Sequence, residues 1–421
     1  MTQSQQILNA REQRKQLLDS LCQSHNVVTI KANVPGENKL IGEASLLVSL
    51  FARLTTNLVS GSVYLDKNAD GYCAIITFDG DVQDVKQQTI LLEDTHPLGR
   101  FVDIDVRAKG SESSLSRGKL RKCFVCENPA FVCGRTCAHT KQQLMDALTS
   151  SVKDYFSTKL ANLLKYSMLA ELNLEDKFGL VTPTSKGSHP DMDYNLMLTA
   201  QDAIIPYLVT MFWQGFNLGN QDLLQTIRPT GLQAETAMSQ ATNGVNAYKG
   251  LIFVVGLLVA SLGKVLSSCG NEQDIYSNVK NTCKNILQEF DYAPTSYGVT
   301  AFRHFNIAGA RGHAHQGFSC VQQAVKVLES SNNLLRTLVY IVGNTDDTVL
   351  LKRSQSFDNY LSNKQMIASV DVCNMQQLKQ VNQKCLQHNL SIGGSADILV
   401  ATVLMSQIKE LIHFNFSKIK N

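Results

Sequence analysis

The chain has 421 residues, of which 44% are hydrophobic and 18% are charged, and its formal net charge is +3. This composition excludes an intrinsically disordered chain, and the small, scattered charge gives no reason to expect a nucleic-acid partner. The N-terminus has no apolar signal core, and the longest apolar run, residues 251–262, is too short to cross a bilayer. We therefore expect a cytoplasmic protein without a membrane partner, and at this length two domains.

Residues 1–149 alternate between helical and β-rich runs. The apolar spacing predicts helices over residues 7–24 and 43–59. Apolar and β-branched runs, separated by Asp-Gly and His-Pro turn signals, predict strands over residues 27–32, 72–78, 89–92 and 101–106. The sequence therefore predicts an α/β or α+β domain over residues 1–149, with a small, mostly antiparallel sheet.

The last of these strands carries the most informative run of the chain. Asp103, Asp105 and Arg107 alternate with three aliphatic residues, so the polar side chains share one face of the strand. Carboxylates two residues apart on a strand lie about 6.6 Å apart. They can share a Mg²⁺ ion while the neighbouring arginine meets a phosphate. The alternative is the solvated outer face of an antiparallel sheet.

A cluster of cysteine and histidine follows this strand. Five potential metal ligands fall within 17 residues: Cys123, Cys126, Cys133, Cys137 and His139. A structural zinc ion needs four such ligands, and the cysteines of a chain without an export signal are expected to be reduced. The alternative is a set of buried thiols beside the phosphate-binding side chains Arg121, Lys122 and Arg135. Both interpretations stay open at this point.

From residue 150 the β signal disappears, and amphipathic helical runs follow one another. Helices are predicted over residues 152–172, 194–212, 232–242, 248–265, 334–342 and 397–414. The small polar residues Thr149, Ser150 and Ser151 are the predicted joint between the two halves. We therefore predict an all-α helical bundle over residues 150–421.

Five polar islands interrupt these apolar helices. The first contains His189, Asp191 and Asp193, and the second contains Glu235 and, after a break rich in glycine and asparagine, Lys249. A lysine at the mouth of an apolar helix is expected to be functional, because that environment disfavours its charge. The two aspartates can converge on a ligand or act as helix N-caps.

The three remaining islands lie closer to the C-terminus. They are Arg311 with His313 and His315, then Asp346 with Asp347, and last Gly393 and Gly394 with Ser395. Arginine can fork a phosphate, paired aspartates can hold Mg²⁺, and two glycines before a helix expose N–H groups that suit an anion. Each island alone can be a plain helix connection. Together the five predict a nucleoside triphosphate site with Mg²⁺.

Both halves resemble known families. LGRFVDIDV (98–106), Leu115-Ser116-Arg117 and RKCFVCENPAFVCGR (121–135) with His139 resemble the apo-citrate lyase phosphoribosyl-dephospho-CoA transferases. GSHPDMD (187–193), AETAMSQATNGVNAYKG (234–250), AGARG (308–312) and NLSIGGSAD (389–397) resemble the triphosphoribosyl-dephospho-CoA synthases. Together these segments cover nearly the whole chain, in the order of the fused bifunctional proteins.

For the helical half, the resemblance implies a synthase. It would join ATP, bound as a substrate with Mg²⁺, to 3′-dephospho-CoA, release adenine and leave the triphosphate on the new ribose. A carboxylate can stabilise the oxocarbenium-like sugar that adenine leaves behind. The candidates for this role are Asp191, Asp193 and Glu235. The candidates for binding the nucleotide are His189, Lys249, Arg311, Gly393, Gly394 and Ser395.

For the N-terminal half, the resemblance implies a transferase. It would pass the phosphoribosyl-dephospho-CoA group to a serine of the citrate lyase acyl carrier (gamma) subunit and release pyrophosphate. The serine oxygen attacks phosphorus, so charge must be neutralised at the phosphate. Mg²⁺ on Asp103 and Asp105 can do this. Four arginines would assist: Arg100, Arg107, Arg121 and Arg135.

The helical half departs from the family pattern. Tyr248 stands where a histidine is expected, and His313 and His315 stand where acidic residues are expected. Loss of two acids beside Arg311 is expected to weaken binding of Mg²⁺ or triphosphate. Residues 353–356 also replace a stretch that is usually rich in glycine. Two other functions remain as alternatives: the same prosthetic group serving malonate decarboxylase, and a non-catalytic, zinc-stabilised interaction protein.

Overall fold

The computed structural model of the chain describes residues 2–293 and 296–417. It divides into two compact units. The N-terminal unit comprises residues 1–159, 265–272 and 409–421, and the helical unit comprises residues 160–264 and 273–408. Thr149, Ser150 and Ser151, the predicted joint, lie inside one long helix and not in a loop. The boundary between residues 149 and 150 stays a prediction.

The N-terminal unit is built on a four-stranded sheet. Its strands are β1 Asn26–Ala32, β2 Gly61–Asn68, β3 Gly71–Phe78 and β4 Val102–Arg107. The order across the sheet is β2-β3-β1-β4, and every neighbouring pair is antiparallel. The predicted small antiparallel sheet is therefore confirmed, as is the strand that carries Asp103 and Asp105.

Several α-helices accompany the sheet in this part of the chain. They are α1 Gln3–Cys22, α2 Gly42–Thr56, α3 Val82–Thr95, α4 Ala130–Thr136 and the first part of α5 Lys141–Leu172. Every residue of β3 is buried, so both faces of the sheet are covered at that strand. On one face the end of α1 packs on Val27, Cys73 and Ile75. Apolar burial of this kind stabilises a fold by about 25 cal/mol for each Å² removed from water.

Two sequence predictions are wrong in this unit. Residues 89–92, predicted as a strand, lie in α3. That helix is capped by Asp81, which accepts from the backbone N–H groups of Gln83 and Asp84 at 2.7 and 3.3 Å, and the capped helix overrides the β-branched run. Strand β2 is absent from the predictions, because only one of its residues is buried and its exposed polar side chains hide the alternation.

Helix α3 protects the free edge of β4. Lys86 Nζ donates to Ile104 O at 3.1 Å, and Glu93 Oε1 accepts from the Ile104 backbone N–H at 2.9 Å. Both side chains are buried. Without them the edge would leave N–H and C=O groups unpaired. These contacts therefore fix the strand that carries the predicted catalytic aspartates.

The rest of the chain is built from α-helices. They are α6 Tyr194–Phe216, α7 Leu223–Ala241, α8 Lys249–Leu266, α9 Glu272–Thr282, α10 Glu289–Tyr292, α11 Tyr297–Phe305, α12 Gly309–His315, α13 Ser319–Ser331, α14 Leu334–Asn344, α15 Thr348–Ser354, α16 Phe357–Ala368, α17 Met375–Gln387 and α18 Gly393–Leu411. The predicted change from a mixed half to a helical half is confirmed.

Two of these helices, α6 and α8, are long and apolar enough to cross a membrane by length and composition alone. The apolar window of α8 is 78% buried inside the structure, against 44% for that of α6. A core helix passes the same length and hydropathy test. The burial of α8 is what we expect of the buried core helix predicted from residues 251–262.

Candidate active sites

The N-terminal unit encloses a cavity of about 540 Å³, here called cavity I. Its charged wall residues are Arg11, Lys31, Lys39, Asp70 and Asp103. Lys31 of β1 lies directly opposite Asp103 of β4 in the antiparallel pairing, so both side chains project from one face of the sheet. Three basic groups against two carboxylates favour an anionic ligand in this cavity.

Arg121 holds Asp103 in place. Its guanidinium donates to the Asp103 carboxylate, to Glu93 Oε1 at 2.8 Å and to Val102 O at 2.7 Å. Asp105 projects from the same face of β4 but does not line cavity I. Burial, and then the nearby Asp103 charge, raise the pKa of Asp105. The structure thus brings the two aspartates together and presents one of them to the cavity.

None of the four predicted arginines lines cavity I, and Arg100, Arg107 and Arg135 have contacts of their own. Arg107 is buried and donates to Asp19 Oδ1 at 2.8 Å. Arg100 donates to the Cys123 carbonyl oxygen at 3.0 Å. The guanidinium carbon of Arg135 lies 5.7 Å from the centroid of a phenylalanine ring, in a cation–π contact. Each of these three side chains therefore already contacts another residue of the protein.

Asp70, beside the turn between β2 and β3, is the charged centre of cavity I, and no sequence pattern identifies it. Its carboxylate accepts from Arg11 Nε at 2.8 Å, from Arg14 Nη1 at 2.7 Å, and from Lys31. Burial alone would raise the pKa of Asp70, but the hydrogen bonds from Lys31 and Arg11 outweigh burial and lower it. These partners are far away in the sequence, so the Asp-Gly turn signal alone does not reveal them.

Four of the five predicted metal ligands come together, and we call them the Cys/His cluster. The ligand atoms of Cys123, Cys126, Cys133 and His139 all lie within 4.8 Å of one another. Cys126 Sγ is 3.4 Å from Cys133 Sγ and 3.4 Å from His139 Nε2. Cys137 is exposed and stands outside this group. Three thiols and an imidazole that converge in this way can hold a metal ion.

The helical unit encloses a cavity of about 460 Å³, here called cavity II. Six of the predicted residues line it: His189, Asp191, Lys249, Asp346, Gly393 and Gly394. Asp193 does not, because it caps α6 by accepting from the Leu196 N–H at 3.0 Å. The fold therefore separates the predicted pair, with Asp191 at the cavity and Asp193 at a helix start.

Three cationic side chains face cavity II: Lys249, Lys352 and Arg353. An Arg353 nitrogen lies 3.4 Å from Nδ1 of His189, and Nε2 of the same imidazole is 2.9 Å from the Ser391 hydroxyl. Burial, and then the Arg353 charge, lower the pKa of His189. Lys352 and Arg353 are not among the predicted binding residues, since their place at the end of a helical run gives no binding signal.

The predicted Mg²⁺ pair, Asp346 and Asp347, is also separated. Asp347 Oδ1 accepts from the backbone N–H groups of Val349 and Leu350 at 2.9 and 3.0 Å. Asp347 Oδ2 accepts from the N–H and the hydroxyl of Ser395 at 2.7 and 2.9 Å. Asp347 therefore caps α15 and anchors the start of α18, and it uses the Ser395 N–H that was expected to bind an anion. Asp346 lines cavity II.

The positions that depart from the family pattern lie in different surroundings. Tyr248 is buried in the wall of cavity II, and its hydroxyl accepts from Gln201 Nε2 at 2.9 Å. His313 lines the same cavity, with Nε2 3.1 Å from Asp346 O. His315 lies outside it, with Nδ1 3.3 Å from another backbone carbonyl oxygen. The two histidines therefore do not form one metal-binding pair.

A third cavity of about 410 Å³, here called cavity III, adjoins cavity II. The walls that the two cavities share are formed by Lys249, Gly250, Gly298, Ala310 and Thr348. Glu235 and Arg311 line cavity III, and Lys249 Nζ lies 2.8 Å from Glu235 Oε2. The Arg311 guanidinium carbon lies 4.9 Å from the Phe290 ring centroid. The predicted islands thus line two adjoining cavities instead of one.

Comparison with known proteins identifies both halves of the chain. The family model described as ATP:dephospho-CoA triphosphoribosyl transferase matches residues 157–416. The family model described as apo-citrate lyase phosphoribosyl-dephospho-CoA transferase matches residues 2–155. The first match covers more than half of the chain and includes all of the residues that line cavities II and III. The second includes all of those that line cavity I.

Three relatives match this chain over most of their own length. Protein CitXG of Haemophilus influenzae is 28% identical over 94% of each chain, and Protein CitXG of Leuconostoc mesenteroides subsp. cremoris is 29% identical over 96% of each. The 2-(5''-triphosphoribosyl)-3'-dephosphocoenzyme-A synthase of Haemophilus ducreyi is 31% identical, over 66% of this chain and 98% of that relative. The chain therefore belongs to the ATP:dephospho-CoA triphosphoribosyl transferase family and also carries an apo-citrate lyase phosphoribosyl-dephospho-CoA transferase domain, which makes it a bifunctional transferase.

Proposed function

We propose that residues 150–421 join ATP to 3′-dephospho-CoA, release adenine and form 2′-(5″-triphosphoribosyl)-3′-dephospho-CoA in cavities II and III. Residues 1–149 then transfer the phosphoribosyl-dephospho-CoA group, at cavity I, to a serine of the citrate lyase acyl carrier (gamma) subunit and release pyrophosphate. Both reactions take place in the cytoplasm, without nucleic acid or membrane as a partner.

One observation carries this proposal: each unit has its own cation-lined cavity. Cavity I presents Arg11, Lys31 and Lys39, whereas cavity II presents Lys352 and Arg353 beside Lys249. Substrates that carry several phosphate groups need such positive charge around them. Because no residue lines both cavity I and cavity II, the two reactions have separate sites.

In the helical half, we place the triphosphate of ATP in cavity II. Lys249, Lys352 and Arg353 neutralise its charge, and the Gly393–Gly394 backbone lets the phosphates approach closely. Asp346 lines the same cavity and would hold the Mg²⁺ that enters with ATP. That ion would supply further positive charge at the phosphate oxygens. Asp347 does not fit this role, since protein donors already occupy both of its oxygens.

The second substrate, dephospho-CoA, enters through cavity III. Its walls are largely apolar and suit the pantetheine arm, while Arg311 can pair with a phosphate. The ribose hydroxyl of dephospho-CoA then meets the ribose of ATP at the wall shared by the two cavities. Departure of adenine leaves an oxocarbenium-like sugar, which the Asp191 carboxylate stabilises.

In the N-terminal half, the attacked phosphate lies in cavity I. Arg11, Lys31 and Lys39 spread their charge around it, and the leaving pyrophosphate needs the same neutralisation. Asp103 and Asp105 fit a Mg²⁺ ion, because they lie side by side and because no described residue donates a hydrogen bond to Asp105. That cation would lower the repulsion between two neighbouring carboxylates.

We further propose that the Cys/His cluster binds a structural zinc ion. Tetrahedral zinc with sulfur and nitrogen ligands places its ligand atoms about 3.5–3.8 Å apart. In the cluster two separations are 3.4 Å and all lie within 4.8 Å, so small side-chain shifts would close the four ligands on one ion. Four protein ligands close the coordination shell, as in structural sites. Cys123, Cys133 and His139 also line cavity I, so the ion would fix that wall of the transferase site.

Mass spectrometry of the apo carrier protein tests both reactions together. After incubation with the chain, ATP, Mg²⁺ and dephospho-CoA, a carrier serine should gain the mass of the phosphoribosyl-dephospho-CoA group, with one adenine released for each carrier. A reaction without dephospho-CoA is the control. Absence of adenine contradicts the synthase assignment, and adenine without a mass gain contradicts the transferase assignment. Faster loading of a malonate decarboxylase carrier would reassign the partner.

A further inference from the structure

Asp397 is an enclosed carboxylate to which the proposed function gives no role. It lies in the first turns of α18 and lines cavity II. Its Oδ2 packs so closely on the backbone of α8 that a Cβ atom on Gly250 would lie 2.1 Å away. Gly250 belongs to the wall that cavities II and III share. Asp397 therefore stands where the two substrates would meet.

The carboxylates around Asp397 already have partners. Glu171 pairs with Lys177 at 2.8 Å, and Asp347 accepts the hydrogen bonds described above. Asp397, by contrast, has neither a hydrogen bond nor an ion pair with any residue in 2–293 or 296–417. Burial, and then the charges of Asp347 and Glu171, raise the pKa of Asp397 well above the usual range. The carboxyl group is therefore expected to hold a proton.

Two groups at the start of α8, Tyr248 just before the helix and Lys249 at its first position, leave Asp397 without a counter-charge. Burial raises the pKa of Tyr248, so its hydroxyl stays uncharged. Lys249 pairs with Glu235, its Nζ 2.8 Å from Glu235 Oε2, and makes no ion pair with Asp397. A proton on Asp397 removes the need for a counter-charge in this part of the cavity wall.

We propose that Asp397 is the acid that protonates adenine as the base leaves ATP. This inference rests on the proposed placement of ATP in cavity II. The bond between C1′ of the ribose and N9 of adenine breaks, and its electron pair goes to the base together with the Asp397 proton. The 2′-hydroxyl oxygen of dephospho-CoA bonds to C1′, and the hydroxyl proton passes to water. Asp397 then regains a proton from solvent. A buried carboxylic acid plays the same part in glycoside hydrolysis.

Adenine release by the full-length chain tests this role. Asp397→Asn keeps the shape of a protonated carboxyl group but has no acidic proton, so release from ATP should fall about 10²-fold or more. ATP binding, measured by equilibrium dialysis, should be unchanged. An ATP analogue methylated at N7 of adenine gives the decisive comparison, because its base leaves as a neutral molecule without a proton. With this analogue, Asp397→Asn and the wild type should release the base at similar rates.

The pH profile provides a second measurement. Because the acid acts in its protonated form, the wild-type kcat should fall as pH rises through the raised pKa of Asp397. Asp397→Glu should keep such a fall, and Asp397→Asn should lose it. Asp202→Asn is the matched control, since Asp202 is exposed and pairs with Lys165 at 2.9 Å.

The results with Asp397→Asn and with the wild type separate the role of Asp397 from the proposed function. If Asp397→Asn releases adenine from ATP at the wild-type rate, or is equally slow with both nucleotides, Asp397 is not the acid. If the wild type releases no adenine, the proposed function fails, and the role of Asp397 fails with it. If thermal melting followed by circular dichroism shows that Asp397→Asn does not fold, Asp397→Ser is measured in the same way.

Discussion

Among the single residues around cavity I, Asp103 is the carboxylate that both faces the cavity and pairs with Arg121. Asp103→Asn removes the charge that would hold Mg²⁺ and orient Arg121, so we expect carrier loading to fall about 10²–10³-fold. Adenine release should be unchanged, because cavity II shares no residue with cavity I. Asp94→Asn is the control, since Asp94 also pairs with an arginine but lies outside the cavity. Equal losses in the two variants would contradict this assignment.

Gly250 has no side chain, and this leaves the space beside α8 that the Asp397 carboxyl group occupies. In Gly250→Ala the new Cβ would lie 2.1 Å from Asp397 Oδ2, which is the movable end of a side chain. We expect the protein to fold, the carboxyl group to be displaced, and adenine release to fall about 10²-fold. Gly343→Ala in α14 is the matched helix control, because Gly343 lines none of the three cavities and its Cβ would lie 3.2 Å from a side-chain atom, Ala368 Cβ. Adenine release and thermal melting are measured for both variants.

His96 makes the stability of the N-terminal unit depend on pH. Burial, and then Lys159, lower the pKa of His96 from 6.5 to about 4. Its Nδ1 accepts from the Leu98 N–H at 3.1 Å, which a protonated ring cannot do. The stabilisation is therefore complete above pH 6.5 and is lost as pH falls towards 4. Urea denaturation followed by circular dichroism should show this loss, and His96→Gln should reduce it; an unchanged slope would contradict the argument.

At the scale of whole elements, β4 could be predicted from its local sequence pattern, whereas α3 could not. Strict alternation of aliphatic and charged residues predicts β4 to within one residue, because alternation is a local property. Residues 89–92 carry β-branched and aliphatic side chains that favour a strand. The helix there depends on the Asp81 cap and on contacts of Lys86 and Glu93 with the edge of β4. Those contacts form only in the folded sheet.

The segment that carries the Cys/His cluster should depend on zinc. We expect the purified chain to hold one zinc ion, measured by inductively coupled plasma mass spectrometry, and Cys126→Ser to lose it. Cys137→Ser is the control, because Cys137 lies outside the cluster and is exposed. Loss of the ion should also increase hydrogen exchange in α4, since the metal would tie Cys133 of that helix to Cys126. Equal zinc content in both variants would rule out the cluster as the site.

At the scale of the whole molecule, the order of the polar islands predicts many of the residues that line the cavities. It predicts few of the hydrogen bonds and ion pairs between them. His189, Lys249 and Gly393 are identified by their place between apolar helices, and all three line cavity II. The pairing of Asp347 with Ser395 spans 48 residues, and no local pattern contains it. The same holds for the shared wall of cavities II and III. Residues that act as caps resemble binding residues in sequence, because both roles favour small polar side chains.

Separate cavities in the two units also predict that the reactions can be divided between two chains. A chain with Asp103→Asn should still make the triphosphoribosyl intermediate, whereas a chain with both Lys249→Ala and Asp397→Asn should still consume it. Neither alone should load the apo carrier from ATP and dephospho-CoA. Mixed together, they should restore the mass gain, because the intermediate leaves one chain and enters cavity I of the other. Adding more of the Asp103→Asn chain should speed the restored loading. If the mixture loads no carrier while each chain keeps its single activity, the intermediate does not pass through solution between the two sites.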